Sequence, residues 1–223
     1  MRAHRGWLIG TALAALCVYA LMWLGYVQHW TWLARVDAWA LEPMHRLGEA
    51  HPVWVTAWAV FCTVLGPTVF RLTVLLVIVV ALVRRNVRVA MFLVISVELC
   101  GLVTEGAKSL ADRPRPDTAM VPALGTSFPS GHALGVMVSV LALLTVALPV
   151  VGRTRRRWLV ALGIVVIVAI GAGRVVLNVH HPSDVIAGWA LGFAYFVACL
   201  LMVPPLRPIT QADETPAVPD TAR

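Results

Sequence analysis

Three short polar stretches of this chain carry the side chains that a site for phosphate would need. The first runs from Lys108 to Pro116, the second is the Pro-Ser-Gly-His sequence at 129–132, and the third runs from Arg174 to Asp184. A phosphate monoester carries almost two negative charges near neutral pH, so its site needs several cations and preorganised N–H donors. Lys108 is the only lysine among 18 basic residues, which argues against generic surface charge. The pattern therefore predicts a phosphate site built from three distant parts of the sequence.

The cations and a helix start have separate tasks in such a site. Lys108, Arg115 and Arg174 supply positive charge, and the planar fork of arginine can bind two phosphate oxygens at once. Ser130 and Gly131 come just before an apolar run. We expect them to begin a helix whose unpaired amides and positive dipole end form a cradle for the anion. Ser130 adds a hydroxyl donor, and Gly131 lets the backbone approach the ligand closely.

Two histidines can supply a nucleophile and an acid. Phosphoryl transfer needs one neutral nucleophile and one protonated acid. His180 precedes Asp184 by four residues, and a helix that begins near Pro182 would let Asp184 turn back to one ring nitrogen of His180. That hydrogen bond would fix the tautomer and leave the other nitrogen free to attack. His132, beside the cradle, would then protonate the leaving oxygen.

The composition indicates the environment of these stretches. The 223 residues are 60% hydrophobic and 13% charged, and the mean hydropathy is +0.83. Soluble domains have about a quarter charged residues, whereas runs of about 20 apolar residues, which recur here, can each cross a bilayer as a helix. The net charge of +7 comes from arginines clustered in short loops, not from a basic stripe with interleaved aromatic residues, so nucleic acid is not an expected partner. We predict an all-α integral membrane protein.

Counting the apolar runs predicts a six-helix bundle with a short interfacial helix after the first span. The first run is too long for the apolar part of a secretory signal, so we interpret it as a retained helix. Gly66-Pro67 interrupts the next apolar region because proline lacks an amide donor. We therefore begin the second span there and assign 53–65 to a partly buried interfacial segment. The six predicted spans are about 7–27, 66–83, 89–110, 133–151, 158–172 and 185–203.

The loop charges predict how this bundle is oriented. With six spans, both termini and the arginine-rich turns at 84–88 and 152–157 lie on one side, and the positive-inside rule makes that side cytoplasmic. All three polar stretches then face the extracytoplasmic side of a plasma (inner) membrane. Lys108, Arg113 and Arg115 lie there against the charge rule, which favours a bound anion near them.

The spacing of the three stretches resembles the three signature motifs of the type-2 phosphatidic acid phosphatase superfamily. The first motif separates Lys108 from an Arg-Pro pair by six residues, and the second is the tetrad at 129–132. In the third, five residues separate Arg174 from His180, and three more separate His180 from Asp184. The superfamily contains membrane lipid phosphate phosphatases, soluble acid phosphatases and vanadium haloperoxidases. The six-helix membrane branch is the most similar to this chain.

The resemblance covers about residues 66–203 and implies a division of the chain into three segments. Residues 1–65 would hold the first transmembrane helix and the interfacial segment. Residues 66–203 would form the phosphatase core of five transmembrane helices. Residues 204–223 are polar and contain several prolines, so we expect a disordered cytoplasmic tail.

The resemblance also implies a role for each motif residue. His180 would be the nucleophile that forms a phosphohistidine, Asp184 would orient it, and His132 would be the acid for the leaving group. No metal or other cofactor would be required. One position departs from the family pattern, because Gly173 stands where a serine usually precedes the third-motif arginine, and a possible hydroxyl donor is lost. The phosphoryl oxygens would be held by Lys108, Arg115, Ser130, Gly131 and Arg174.

Three further polar residues receive interpretations outside the chemistry. Arg113 lies two residues short of the motif spacing, which favours headgroup binding or loop packing. Glu98 lies near the middle of the third span, where a carboxylate is costly, and it serves either a hydrogen bond between helices or a function. His181 is interpreted as a neighbour that shapes the pocket.

We therefore predict a membrane phosphatase that removes a terminal phosphate from a lipid phosphate or diphosphate at the outer membrane face. Its partners would be this lipid substrate and the surrounding membrane lipids, and the sequence does not indicate an oligomeric state. Candidate substrates in a bacterial cell envelope are undecaprenyl diphosphate, phosphatidylglycerol phosphate and phosphatidic acid. Two alternatives stay open: a vanadate-dependent haloperoxidase, and a lipid-phosphate binding or transport protein without catalysis. The membrane spans argue against the first, and the intact His132, His180 and Asp184 argue against the second.

Overall fold

The computed structural model describes residues 2–205, with side chains from residue 5 onward. The predicted tail at 204–223 therefore lies almost entirely outside the described residues. Within the described range the regular structure is helical, as the composition predicts. The α-helices are α1 (Arg2–Val27), α2 (Thr31–Ala50), α3 (Pro52–Val64), α4 (Pro67–Val83), α5 (Val87–Leu93), α6 (Cys100–Ala111), α7 (Gly131–Ala147), α8 (Arg153–Val176) and α9 (Pro182–Met202).

Six helical stretches are long and apolar enough to cross a membrane, which confirms the predicted number of spans. The second begins earlier than predicted, because α3 and α4 together form one apolar stretch, Pro52–Val83. Their junction is a helix break: Pro67 begins α4, and a Cβ added to Gly66 would lie only 2.4 Å from the carbonyl oxygen of Cys62. By length and composition, the segment 53–65 thus belongs to the second apolar stretch, and its place at the membrane interface stays a prediction.

The predicted interfacial helix after the first span is present as α2, which is 20 residues long. Its buried face carries Leu33, Asp37 and Leu41 at intervals of four residues, while Trp32 and Trp39 are exposed. Residues four apart share one face of a helix. An acidic residue therefore lies in the middle of the apolar stripe that α2 turns toward the bundle.

Helix α9 runs through the centre of the bundle and packs against α1 and α7. Gly188 and Gly192 make the contact with α7 unusually close: an added Cβ would lie 2.6 Å from the carbonyl oxygen of Ser130 in the first case and 3.0 Å from that of Leu134 in the second. Small residues allow this approach between membrane helices, where packing rather than water exclusion drives association. The N-terminal ends of α7 and α9 are thereby held side by side.

The core and the outer surface of the bundle are both apolar. Phe92, Leu134 and Val138 are fully buried between α5, α7 and neighbouring helices. By contrast, Leu76 and Val83 on α4 are 65% and 79% exposed. Such apolar faces on helices of this length fit a lipid environment.

The third span contains a local irregularity at the acidic residue noted in the sequence. A π-helical turn, Val94–Glu98, joins α5 to α6. The carboxylate of Glu98 accepts a hydrogen bond from Nε of Arg71 on α4, over 3.1 Å. Glu98 therefore makes a hydrogen bond between helices, which is the first of the two roles expected for it.

Candidate active site

A cavity of about 430 Å³ lies at the end of the bundle where α6 and α8 end and α7 and α9 begin. Six of the eight residues named from the sequence line it, and they come from all three polar stretches. The other two, Ser130 and Asp184, are completely buried behind the lining. The six lining residues are Lys108, Arg115, Gly131, His132, Arg174 and His180.

The cavity is positively charged, since three of its lining residues are basic and none is acidic. Arg174 is the most enclosed of them, with 7% of its surface exposed. Its Nε has no hydrogen-bond partner, and none of the ion pairs formed by residues 5–205 includes it. A buried cation without an acidic partner is very unfavourable in the absence of an anionic ligand. The cavity is therefore suited to an anion.

The start of α7 is at the cavity, as the sequence predicts. Gly131 is the first helical residue and lines the cavity, and Ser130 is the N-cap. The hydroxyl of Ser130 accepts a long hydrogen bond from the amide of Ala133, so the side chain points along the helix and not into the cavity. The amide of Ser130 donates to the carbonyl oxygen of Asp184, over 2.9 Å. The second and third motifs are thus joined directly through the backbone.

His180 faces the cavity with a ring nitrogen that must be unprotonated. Its Nε2 lies 3.2 Å from Nη1 of Arg115. A guanidinium can only donate hydrogen bonds, so Nε2 is the acceptor and the ring proton is on Nδ1. Burial lowers the pKa of His180 to about 4, although the carboxylate of Asp184 opposes this shift. The ring is neutral at pH 7, and its unprotonated nitrogen is Nε2, which contacts Arg115.

Asp184 lies behind His180, but the predicted hydrogen bond between them is only a near contact. The distance from Nδ1 of His180 to Oδ2 of Asp184 is 3.6 Å, which exceeds hydrogen-bond range. The same oxygen accepts from the amide of His181 over 2.8 Å and from the hydroxyl of Ser127, and it lies 3.2 Å from Nδ1 of His181. Asp184 is therefore a junction between two histidines, of which His180 alone lines this cavity.

Arg115 holds the loop after α6 in place beside His180. Its guanidinium donates to the carbonyl oxygens of Leu124 at 2.7 Å, Val179 at 2.8 Å and Gly125 at 3.0 Å. These carbonyls belong to two separate loops, 112–130 and 177–181. Arg115 thus joins the loops from which the cavity wall is made, in addition to lining it.

Gly173, the position that departs from the family pattern, is explained by its neighbours on α3. A Cβ added there would lie 2.6 Å from Sγ of Cys62 and 2.9 Å from a ring carbon of Trp58. Contacts below 3.0 Å cannot be accommodated without a shift of the neighbours. In this chain, α3 therefore occupies the space that a serine side chain would take beside Arg174.

Several residues around the site were missed or misread in the sequence. Arg113, expected to bind headgroups or pack in a loop, is buried and donates to Asp184 over 2.7 Å and to Asp37 over 2.9 Å. Ser183 lies between the two carboxylates. The signal for Asp37 was its position between Leu33 and Leu41 on an otherwise apolar face.

Helix α3 contributes to the cavity as well, although it lies outside the segment that the resemblance covers. Ala59 and Thr63 line the cavity one helical turn apart. The break at Gly66 brings α3 against α8, and the added Cβ at Gly66 would lie 3.5 Å from Nε2 of His132. No sequence motif marks this contribution, because it depends on how the broken span packs.

Comparison with known proteins gives relatives in both sequence and structure. The chain is 34% identical over 116 residues to an undecaprenyl-diphosphatase from Sulfolobus acidocaldarius, covering 49% of this chain and 52% of that protein. It is 32% identical over 99 residues to phosphatidylglycerophosphatase B from Bacillus subtilis, covering 43% of this chain and 48% of that protein. The chain thus aligns with about half the length of these two relatives.

The fold is shared with a solved membrane protein. The crystal structure of a transmembrane PAP2-type phosphatidylglycerolphosphate phosphatase from Bacillus subtilis superposes with a TM-score of 0.76, covering 90% of this chain and 99% of that one, at 18% identity. The family model of the PAP2 superfamily matches residues 89–208, which include all three motifs. This match spans more than half of the 223 residues. The chain therefore belongs to the PAP2 superfamily.

Proposed function

We propose that this protein is a membrane lipid phosphate phosphatase that works through a phosphohistidine. The observation that carries the proposal is the buried guanidinium of Arg174, which has no acidic partner among residues 5–205 and lies in one cavity with the neutral ring of His180. Lys108 and Arg115 add two further cations to the same cavity. A dianionic phosphate would neutralise most of this charge while its phosphorus faces Nε2 of His180.

The reaction then consists of two displacements at phosphorus. In the first, Nε2 of His180 forms a bond to phosphorus as the bond to the lipid oxygen breaks, and His132, protonated when the phosphate dianion is bound, donates its proton to that oxygen. In the second, His132 takes a proton from water, the water oxygen attacks phosphorus, and the bond to His180 breaks. Inorganic phosphate leaves and both histidines return to their starting states. The cations and the amides at the start of α7 stabilise the charge on the transferred group.

The substrate class follows from the position of the cavity at one end of a membrane bundle. A lipid can keep its tail in the bilayer while its headgroup reaches the ends of α6 to α9. The activities for which the two relatives are named suggest undecaprenyl diphosphate and phosphatidylglycerol phosphate, and phosphatidic acid is a third candidate. The loop charges support an orientation in which the cavity lies at the extracytoplasmic face of the plasma membrane.

Purified protein should release inorganic phosphate from at least one of these three lipids, and His180→Ala should release none. An acid-labile phosphoprotein trapped in the first milliseconds should be present in the wild type and absent from the variant. Activity in sealed right-side-out vesicles, without detergent, would support the proposed orientation. Equal release by both proteins would overturn the nucleophile assignment. Lipid binding without release by the wild type would instead favour a binding or transport protein.

A further inference from the structure

Behind the cavity, four buried polar residues from three separate parts of the chain form one network. They are Asp37 of α2, Arg113 of the loop after α6, and Ser183 and Asp184 in the first turn of α9. Each is at most 8% exposed, and Asp184 is completely buried. These four residues form the Arg113 network.

Arg113 divides its guanidinium between the two carboxylates of the network. Nη1 donates to Oδ1 of Asp184 over 2.7 Å, and Nη2 donates to Oδ2 of Asp37 over 2.9 Å. Nη1 also reaches the hydroxyl of Ser183 over 2.7 Å, and the ring of Tyr26 lies 4.9 Å from Cζ. Because Nη2 is committed to Asp37, Arg113 cannot bind Asp184 with both arms of its fork. Arg113 therefore does not contact Oδ2 of Asp184, and this oxygen lies beside His180 and His181.

Asp37 also holds the helix turn that carries Asp184. Its Oδ1 accepts from the amide of Ser183 over 3.0 Å, and its Oδ2 accepts from the hydroxyl of Ser183 over 2.7 Å. The first amides of a helix have no partner within the helix, so this carboxylate supplies a cap from a different helix. Asp37 therefore determines both the position of the turn and the direction of the guanidinium.

The charges of the network suit positioning better than stability. Two carboxylates share one guanidinium, so one negative charge remains, and it lies next to His180 and His181. Burying charged side chains is costly, and well-packed apolar residues often serve stability equally well. A network of this kind keeps Asp184 ionised without letting one cation take up all of its charge.

We propose that Asp37 and Arg113 are positioning residues that fix the orientation of Asp184 and, through it, of His180. Neither residue lines the cavity of the three cations, although both line an adjoining cavity that shares Arg115 with it. We therefore assign them no contact with a phosphoryl group that is bound beside His180. The inference rests on the proposed function, since it assigns these residues to the attack by His180. It also places a residue of α2, which lies outside the family match at 89–208, in the machinery of the site.

The proposal is tested with Arg113→Met, Arg113→Lys and Asp37→Asn, compared on the best lipid substrate. A displacement of the reacting groups by about 1 Å can cost about 10²-fold in rate. On that scale we expect Arg113→Met to lower kcat about 10²-fold and Asp37→Asn about tenfold, with KM nearly unchanged. Arg113→Lys keeps the charge and one donor, and it should recover part of the loss. Glu42→Gln, at an exposed acidic residue of the same helix, is the matched control and should keep the wild-type kcat.

Two inhibitors separate positioning from general loosening of the site. Inorganic phosphate binds through the cavity cations, so its inhibition constant should stay the same in all variants. Orthovanadate can form a bond to the attacking nitrogen, so its inhibition should weaken in parallel with kcat. Joint loss of kcat, phosphate affinity and thermal stability would overturn the proposal in favour of a structural role. Should Arg113→Met fail to fold, the nearly isosteric Asp37→Asn decides the matter by the same readouts.

The outcomes distinguish this inference from the proposed function. Wild-type kcat in folded Arg113→Met and Asp37→Asn, together with an inactive His180→Ala, would overturn the positioning role alone. A wild-type protein that releases no phosphate from any lipid would overturn both.

Discussion

The two ends of the bundle use the same side chain, arginine, in opposite ways. At one end, Arg84, Arg85 and Arg88 and the run at 153–157 are exposed. At the other end, Arg113 and Arg174 are 8% and 7% exposed and lie among helix ends and loops. Exposed charges are screened by water and salt within about 10 Å, whereas buried charges act at much lower dielectric. Arginines at the first end can therefore orient the protein in the membrane, while those at the second can bind and position reacting groups.

The largest effect is expected from removing Arg174, the buried cation without an acidic partner among residues 5–205. Loss of one preorganised donor to a transition-state oxyanion typically costs about 10²- to 10³-fold in rate. We expect Arg174→Ala to lower kcat/KM for the lipid substrate by at least that factor. Phosphate release by purified protein measures the effect. A loss of tenfold or less would mean that Arg174 is peripheral to the reaction.

A smaller effect is expected from a change beside that cation. Gly173→Ser would restore the residue usual in the family, but its Cβ would meet Cys62 and Trp58 at less than 3.0 Å. The resulting shift of Arg174 should lower kcat/KM about tenfold, within the range expected for small misplacements. Adding Cys62→Ala should recover part of the loss by making room for the shift. Wild-type activity of Gly173→Ser alone would show that α3 yields readily at this contact.

The site end should also respond to pH in a way that the arginine-rich end cannot. The unfolded chain protonates His180 near its ordinary pKa of 6.5, whereas burial lowers the pKa of the folded state to about 4. Between these values the unfolded state binds more protons, so the stability contributed by neutral His180 is complete above pH 6.5 and is lost as the pH falls toward 4. We expect the thermal midpoint of the wild type to fall more steeply between pH 7 and 4.5 than that of His180→Asn. Equal slopes for the two proteins would contradict the burial of a neutral ring.

The smallest expected effect is the matched change at the opposite end. Arg155 is exposed and lies at the start of α8, whereas the cavity lies at the end of that helix. Arg155→Ala should leave kcat/KM within about twofold, since exposed charges away from special features contribute little. Measuring it beside Arg174→Ala compares two arginines on one helix. A large loss at Arg155 would remove the distinction between the two ends.

Much of the fold was predictable because apolar runs and loop arginines are local signals. They indicated six spans and the helix start at Ser130, and the motif spacing indicated which residues meet at the cavity. The second apolar stretch begins at Pro52 rather than at Gly66, because Gly66-Pro67 has the sequence signal of a helix end although α3 and α4 form one apolar stretch. A break and a boundary have the same sequence signal, and packing alone distinguishes them.

The polar contacts behind the cavity were harder to predict than the cavity itself. Asp37 is 146 residues from Ser183, and nothing in either local sequence points to the other. Arg113 and Arg115 each precede a proline, but only Arg115 has the motif spacing. That spacing indicated a site role for Arg115 alone, although Arg113 contacts Asp184 of the third motif. The helix geometry did predict that Asp184 lies beside His180, but not that Ser127 and the backbone of His181 would compete for the same oxygen.

The carbonyl contacts of Arg115 have a consequence for how tightly the resting protein can hold phosphate. Three backbone oxygens already occupy its guanidinium, so any hydrogen bond to a ligand must be exchanged for, or shared with, one that exists. The net gain from such an exchange is the difference between two similar bonds. Arg174 has no such bond to give up at Nε. Two arginines of equal charge in one cavity would thus contribute unequally to affinity, and Arg174 would contribute the larger share.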